Sequence, residues 1–459
     1  MVADKAPRWI VNVDRDAATT AAVLENGLRV VVEPLPCARV ASIGVMVTAS
    51  PRVETAGQAG LAHLTEHLMF QGTASRSATD IARFMDRAGG GIGAFTSHDY
   101  TCYSATVLDD NTPYALELLA DVLLNSTFPE SSVAREKAAV AREIDGANDS
   151  APMVAHSLMR AAAWPGHSLS RSVMGTGQSV DALSREDVIY FVHQHYLPNR
   201  ITIAASGSVA PGDFIAQVRD GFWRLTGEST VPASAAPTFV GGCSIAAGSG
   251  SLAYFAVGVP APAYASANRY ATHVLARVLG GGISSRLHRR LREERGLVYM
   301  VDADYQAYHD AGLLVVEGAT APGDLVEVIG LVLQELERLA LGDAADADEI
   351  ALAKTQIANQ TRMGDDDVHT RMSRLAVQQV YFGHPVSSED VVRGVAALEV
   401  DEVRRAAAGW VRGGAAGLAL GVVTTEALTC TTRTALEAFA GAFREPVPEA
   451  VAMSAAPCW

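Results

Sequence analysis

Apolar residues alternate early in the chain. The runs GLRVVVEPLP and ARVASIGVMVTA, within residues 27–50, are rich in β-branched residues and split by a proline-containing turn, which predicts two strands. The period then changes. Leu61, Leu64 and Leu68 recur at helical spacing, predicting a helix over about 59–70, and a second helix is expected over 78–88. Next comes DRAGGGIGAFTSHDYTCYSATVL. Alternation, not a helical pattern, follows its glycines, so it reads as a turn into a β-hairpin and not as a phosphate loop. His98 and Asp99 are expected to form the hairpin turn. Long helical patterns then cover about 112–124 and 129–146.

The chain repeats itself. GHSLSRSVMG with LSREDVIYFVHQHYLPNRITIAASGSV, inside 166–209, parallels GHPVSSEDVVRG with LEVDEVRRAAAGWVRGGAAGLALGVV, inside 383–423. Leu183 matches Leu398 and Val188 matches Val403, both 215 positions apart. Two similar halves are expected: 1–225, then a Ser/Thr/Pro/Gly-rich linker at 226–243, then 244–445, and a loose tail at 446–459. The mix of strands and helices predicts an α+β or α/β sandwich in each half, of which the α+β form, a mostly antiparallel sheet packed with helices, is expected.

Composition narrows the class. With 459 residues, 49% apolar and 19% charged, the chain is globular and long enough for more than one core. No apolar run approaches the roughly 20 residues of a membrane span, and MVADKAPRWIVNVDRD lacks the pattern of a signal peptide. Five scattered cysteines without CxxC spacing fit a reducing cytosol, so a cytoplasmic location is expected. A net charge of −15 disfavours nucleic-acid binding.

The candidate chemistry lies in HLTEHLMFQGT, residues 63–73. On a helix His63, Glu66 and His67 share an arc of about 100°, apart from the leucine face. Two neutral imidazoles suit zinc and the glutamate suits a general base; HxxEH is a known zinc-peptidase order. Two packed, hydrogen-bonded histidines would give the same letters. A zinc site also needs a third ligand. PESSVAREKAAVAREIDG offers Glu136 and Glu143, nearly two turns apart beside the apolar stripe of Val133, Val140 and Ile144, placed for a ligand and its support or as solvated glutamates paired with Lys137 or Arg142. The second half provides a control. A shift of 210 residues carries His63 to His273, Glu66 to Ala276 and His67 to Arg277, so the fold itself does not need Glu66 or His67. His193 and His195 lack a third partner in the sequence and read as packing or surface residues.

In this order, NGLRVVVEP, AGLAHLTEHLMFQGT, AFTSHDYTCYSATV, EKAAVAREI, HSLSRSVMGT, YLPNRITIAASG and SSRLHRRLREERGLVYMV resemble the pitrilysin and mitochondrial-processing-peptidase family of inverted-motif zinc metallopeptidases, over about residues 25–440. The resemblance implies one Zn2+ per chain held by His63, His67 and Glu143, with Glu66 as base and Glu136 supporting the site. It implies that Arg292 and Tyr299 hold the substrate backbone and stabilise developing oxyanion charge. It implies a peptide substrate added as a strand along Gly93, Ala94, Phe95, Thr96 and Ser97. It implies four such domains around a clamshell chamber, hence pairing with a second family chain as a homodimer or heterodimer. The expected activity is endopeptidase cleavage of peptides or unfolded segments, with leader-peptide processing, an obligatory partner or a non-catalytic peptide-binding role as alternatives. Gly93 departs from the family's usual Asn and removes a side chain that would contact substrate.

Overall fold

The structure is a computed structural model, and it describes residues 10–15, 19–229, 235–341, 346–412, 417–425 and 430–441. The expected tail at 446–459 lies outside the described residues. The first sheet contains β1 (Ile10–Arg15), β2 (Thr20–Leu24), β3 (Arg29–Pro34), β4 (Val40–Val47), β5 (Gly91–Thr96), β6 (Thr101–Leu108) and β7 (Ile201–Gly207). Helices α1 (Leu61–Met69) and α2 (Ala78–Ala88) lie between β4 and β5. Between β6 and β7 come α3 (Thr112–Asn125), α4 (Glu130–Asp149), α5 (Ala151–Ala163), α6 (Gly177–Ala182) and α7 (Arg185–His195), and α8 (Pro211–Phe222) follows β7.

The second half repeats the scheme. Its sheet contains β8 (Gly242–Ala247), β9 (Ala253–Ala261), β10 (Val298–Ala307), β11 (Gly312–Thr320) and β12 (Ala419–Thr424). Helix α9 (Arg269–Gly280) lies between β9 and β10. After β11 come α10 (Leu325–Leu341), α11 (Ala347–Gly364), α12 (Val368–Phe382), α13 (Ser388–Ala397) and α14 (Val400–Arg412), with α15 (Cys430–Gly441) after β12. The sheet orders are β1-β2-β3-β7-β4-β6-β5 and β10-β11-β9-β12-β8. Read from its other edge, the second order is that of β3-β7-β4-β6-β5 in the first. Both sheets are antiparallel except for one parallel pair each, β3 with β7 and β8 with β12. This is the expected α+β fold, two mixed layers built on one plan. Among the described residues no helix is long and apolar enough to cross a membrane.

The halves exchange a helix. Met159 and Ala163 of α5 pack with Ala256, Leu313, Val315 and Ala419 of the second sheet. Met372, Leu375 and Ala376 of α12 pack with Val31, Met46, Cys102 and Ala204 of the first. Each sheet is thus closed on its outer face by the other half. The approach is tight, since a Cβ at Gly421 would lie 2.0 Å from the Ala155 carbonyl oxygen. Hydrophobic periodicity gives the buried face of a helix but not the sheet that covers it, so this exchange is not among the expectations from sequence.

A buried charge cluster ties the same joint. Asp99 does lie in the β5–β6 turn, but it is buried: its carboxylate meets Arg52 Nε at 3.1 Å, the His309 N–H at 2.9 Å and the Tyr381 hydroxyl at 2.7 Å. Arg52 also pairs with Asp310 of the β10–β11 turn. The two hairpins therefore meet turn to turn.

Candidate functional site

Helix α1 has two faces. Leu61, Leu64 and Leu68 are buried in the first core, while His63, Glu66 and His67 are only partly covered, on a helix that packs against α4 and β5. Its start is fixed by backbone and charge together. Gly60 holds φ 92°, a left-handed conformation that side chains resist. The buried Glu54 carboxylate accepts the N–H groups of Gly60 at 3.1 Å and Ala62 at 2.7 Å. These are helix-end donors without partners in the helix, at the positive end of its dipole. The sequence reading missed Glu54, which lies in an aperiodic loop with no pattern to mark it.

Glu54 has a pH consequence. Burial outweighs those hydrogen bonds and the nearby Arg171, pushing its pKa from 4.5 to about 7. The unfolded chain loses that proton near pH 4.5 while the folded chain keeps it to about 7, so this group's contribution to stability is lost as pH rises across that window. Glu54→Gln is expected to flatten the decline, measured as urea midpoints at about pH 5 and about pH 8. An equal decline in the variant would contradict the assignment.

Helix α4 buries Val133, Val140 and Ile144 and turns Glu136 and Glu143 toward α1. Glu143 Oε2 lies 3.7 Å from His63 Nε2 and 3.6 Å from His67 Nε2. Glu136 Oε2 lies 3.4 Å from His67 Nδ1, and its other oxygen is 3.3 Å from Arg135 Nε. A carboxylate accepts, so Nδ1 carries the His67 proton and the Nε2 lone pair is left facing the space it shares with His63 Nε2 and Glu143 Oε2. Lys137 does not pair with either glutamate; it donates to the Asp181 and Leu183 carbonyls.

These donor atoms fit a metal. The three ligand atoms of His63, His67 and Glu143 lie within 4.8 Å of one another. The His–Glu separations are too long for hydrogen bonds but close to the roughly 3.4 Å between two ligand atoms on one tetrahedral zinc. Burial first, and then the charge of His67, lowers the pKa of His63 to about 4, which keeps it in the neutral, metal-binding form near pH 7. The buried His63 Nδ1 has no hydrogen-bond partner among the described residues.

Glu66 stands beside this cluster. The Thr96 hydroxyl donates to Glu66 Oε2 at 2.7 Å. Burial raises the pKa of Glu66, opposed by the Thr96 bond and by His67, with Glu143 adding to the rise. A carboxylate held this way is poised to take a proton. Thr96 ends β5, which pairs only with β6 among the described residues and forms the sheet's open edge. Gly93, Ala94 and Phe95 lie on that edge, and Ser97 begins the turn, its hydroxyl donating to the Tyr100 carbonyl at 2.9 Å. A Cβ at Gly93 would meet nothing within 4 Å, so there is room for the side chain that glycine omits.

Arg292 and Tyr299 lie elsewhere. Tyr299 is the second residue of β10 and is 80% exposed. Arg292 sits over its ring at 5.5 Å and donates to His288 Nε2 at 3.2 Å. Among the described residues neither contacts the His63–His67–Glu143 cluster. His195 packs at 4.9 Å against the Phe191 ring, and neither it nor His193 joins a metal-like cluster among the described residues.

Comparison with known proteins gives two family matches, "Insulinase (Peptidase family M16)" over residues 29–177 and "Peptidase M16 inactive domain" over 182–357. An uncharacterized zinc protease of Streptomyces coelicolor is 34% identical over 398 residues, covering 84% of this chain and 85% of its own. The uncharacterized zinc protease YmxG of Bacillus subtilis is 30% identical over 379 residues, covering 83% of this chain and 92% of its own. The fold matches that of a Helicobacter pylori protease at a TM-score of 0.81, with 20% identity over 88% of this chain and 99% of that one.

Proposed function

This chain belongs to the insulinase family, peptidase family M16, and from that premise we propose that it is a zinc-dependent metalloendopeptidase acting on peptides or unfolded polypeptide segments. The observation that carries the reading is the convergence of His63 Nε2, His67 Nε2 and Glu143 Oε2 beside Glu66. His63, His67 and Glu143 would hold one zinc ion. Bound zinc supplies a Lewis acid that polarises the peptide carbonyl and makes water nucleophilic near neutral pH. Glu66, held by Thr96, removes the proton from the attacking water and returns it to the leaving amine. Substrate lies along the free edge of β5, main chain to main chain.

Glu136 orients His67 and keeps its Nε2 lone pair aimed at the metal position. Glu136→Ala is expected to weaken zinc affinity by about 10–100-fold while all three ligands remain. Competition with a zinc-chelating dye measures this, and unchanged affinity would remove Glu136 from the site.

Among the described residues Arg292 and Tyr299 make no contact with the His63–His67–Glu143 cluster, and the exposure of Tyr299 suits a chamber closed by a second chain. In that assembly their N–H and O–H groups face the carbonyl oxygen as it gains negative charge. A homodimer is the simpler form, because one sequence holds both residue sets. Native mass measurement separates the cases: an active single species at twice 48.2 kDa excludes an obligatory different partner, and an inactive species of that mass favours one. A cleavage profile against a peptide library, with and without chelator, tests the activity. Sharp residue preferences support precursor processing, and a flat profile supports general peptide turnover.

A further inference from the structure

The second half keeps the place of the metal cluster and inverts its charge. Helix α9 occupies the position of α1, with His273 for His63 and Arg277 for His67. Helix α11 occupies the position of α4. The first residues of α5 and α12, Ala151 and Val368, are 217 apart, and the same offset carries Glu143 to Gln360. The equivalence is physical as well as numerical, since Arg277 Nη2 donates to Gln360 Oε1 at 2.7 Å.

A cavity of about 370 Å³ opens at this place. Arg269, Arg277, Arg374 and His273 line it, and no acidic residue does. That lining stands out in a chain of net charge −15. Arg374 is paired with Asp365 at 2.7 Å. Arg269 and Arg277 are not paired with a carboxylate among the described residues. Arg269 donates to the Tyr270 hydroxyl at 2.8 Å and toward the Ser266 carbonyl at 3.4 Å. Beyond Gln360, Arg277 donates toward the Gly281 carbonyl at 3.4 Å. Every one of these acceptors is neutral, and each guanidinium carries five N–H donors. Asp302 and Asp304 of β10 lie near enough to influence Arg277 and His273 but do not line the cavity. Desolvation by the groups packed around His273 holds its pKa below the usual value even though the residue is exposed, so the fixed positive charge of the cavity is that of the arginines. The Arg269 guanidinium carbon lies 4.1 Å from the Tyr270 ring centre and 4.7 Å from that of Phe382. A guanidinium serving only to plug a vacated metal site would call for a carboxylate opposite, and Gln360 stands there instead.

We propose that this cavity is an anion-binding site that accepts a carboxylate or phosphate group between Arg269 and Arg277. Two charge-assisted donors converging in one recess favour such a group over a neutral isostere. This site does not depend on the peptidase reading, since it shares no residue with it.

The test is isothermal titration of the full chain with inorganic phosphate, with N-acetylglycine and with N-acetylglycinamide. At least one of the two anions is expected to bind, about tenfold or more tightly than the neutral amide. Binding of N-acetylglycine alone identifies a peptide C-terminus as the source, and binding of phosphate alone identifies the free ion. Gln360→Glu sets a carboxylate against Arg277 without changing side-chain size. It is expected to weaken anion binding at least about tenfold while the thermal midpoint holds or rises, which separates loss of the site from loss of the fold. Arg277→Gln should weaken binding similarly. The proposal is overturned if neither anion outbinds the amide, or if Gln360→Glu leaves anion affinity unchanged.

Discussion

Glu66→Gln is expected to lower peptide hydrolysis by about 10²–10⁴-fold while zinc content stays unchanged. Glutamine preserves the length of the side chain and can still accept the Thr96 hydrogen bond, which is 2.7 Å long in the native chain. It cannot take a proton from water. Glu66 is not one of the three clustered ligand residues, so the metal position keeps its full donor set. Steady-state cleavage of an internally quenched peptide, with elemental analysis of the same samples, measures both quantities. A variant that retains zinc and cleaves at the native rate would falsify the role given to Glu66.

The second large effect is on stability. Asp99 is 5% exposed and accepts from Arg52, the His309 N–H and the Tyr381 hydroxyl, which come from both halves of the chain. Asp99→Ala strands these donors, including a guanidinium that is itself only 10% exposed and keeps only Asp310. Removing one partner of a buried pair costs about 3–5 kcal/mol, a large part of typical domain stability. Tyr381→Phe removes one donor and leaves the ion pair, for an expected loss of about 1–2 kcal/mol. Denaturant midpoints with a common slope measure both. Equal losses in the two variants would contradict the ranking, and no loss in Asp99→Ala would remove the cluster from the account of how the halves are joined.

The candidate catalytic face was legible because it obeys a local rule. Helical periodicity alone separates His63, Glu66 and His67 from Leu61, Leu64 and Leu68, and the spacing of Glu136 and Glu143 puts them on one side of α4. The fold class was legible through the repeat: Leu183 with Leu398 and Val188 with Val403 mark α7 and α14 in two sheets of one order. The expected helix ends over 59–70 and 129–146 moved only slightly, to Leu61–Met69 and Glu130–Asp149. Contacts between distant segments carry no such rule. The crossing of α5 and α12 onto opposite sheets, the Glu54 cap on α1, and the burial of Asp99 in what reads as an ordinary hairpin turn each depend on residues far apart in the chain. Thr96 was legible as part of an edge strand, and its bond to Glu66 was not. Arg292 and Tyr299 could be picked out by their motif, but the sequence does not say that they lie away from the cluster of their own chain.

The most direct test of the central claim is peptide hydrolysis by metal-stripped chain as zinc is added back. The account predicts no cleavage without metal and activity that rises to a plateau near one zinc per chain. Cleavage that persists in the stripped protein, or its absence at every zinc level despite zinc bound at His63, His67 and Glu143, would contradict it.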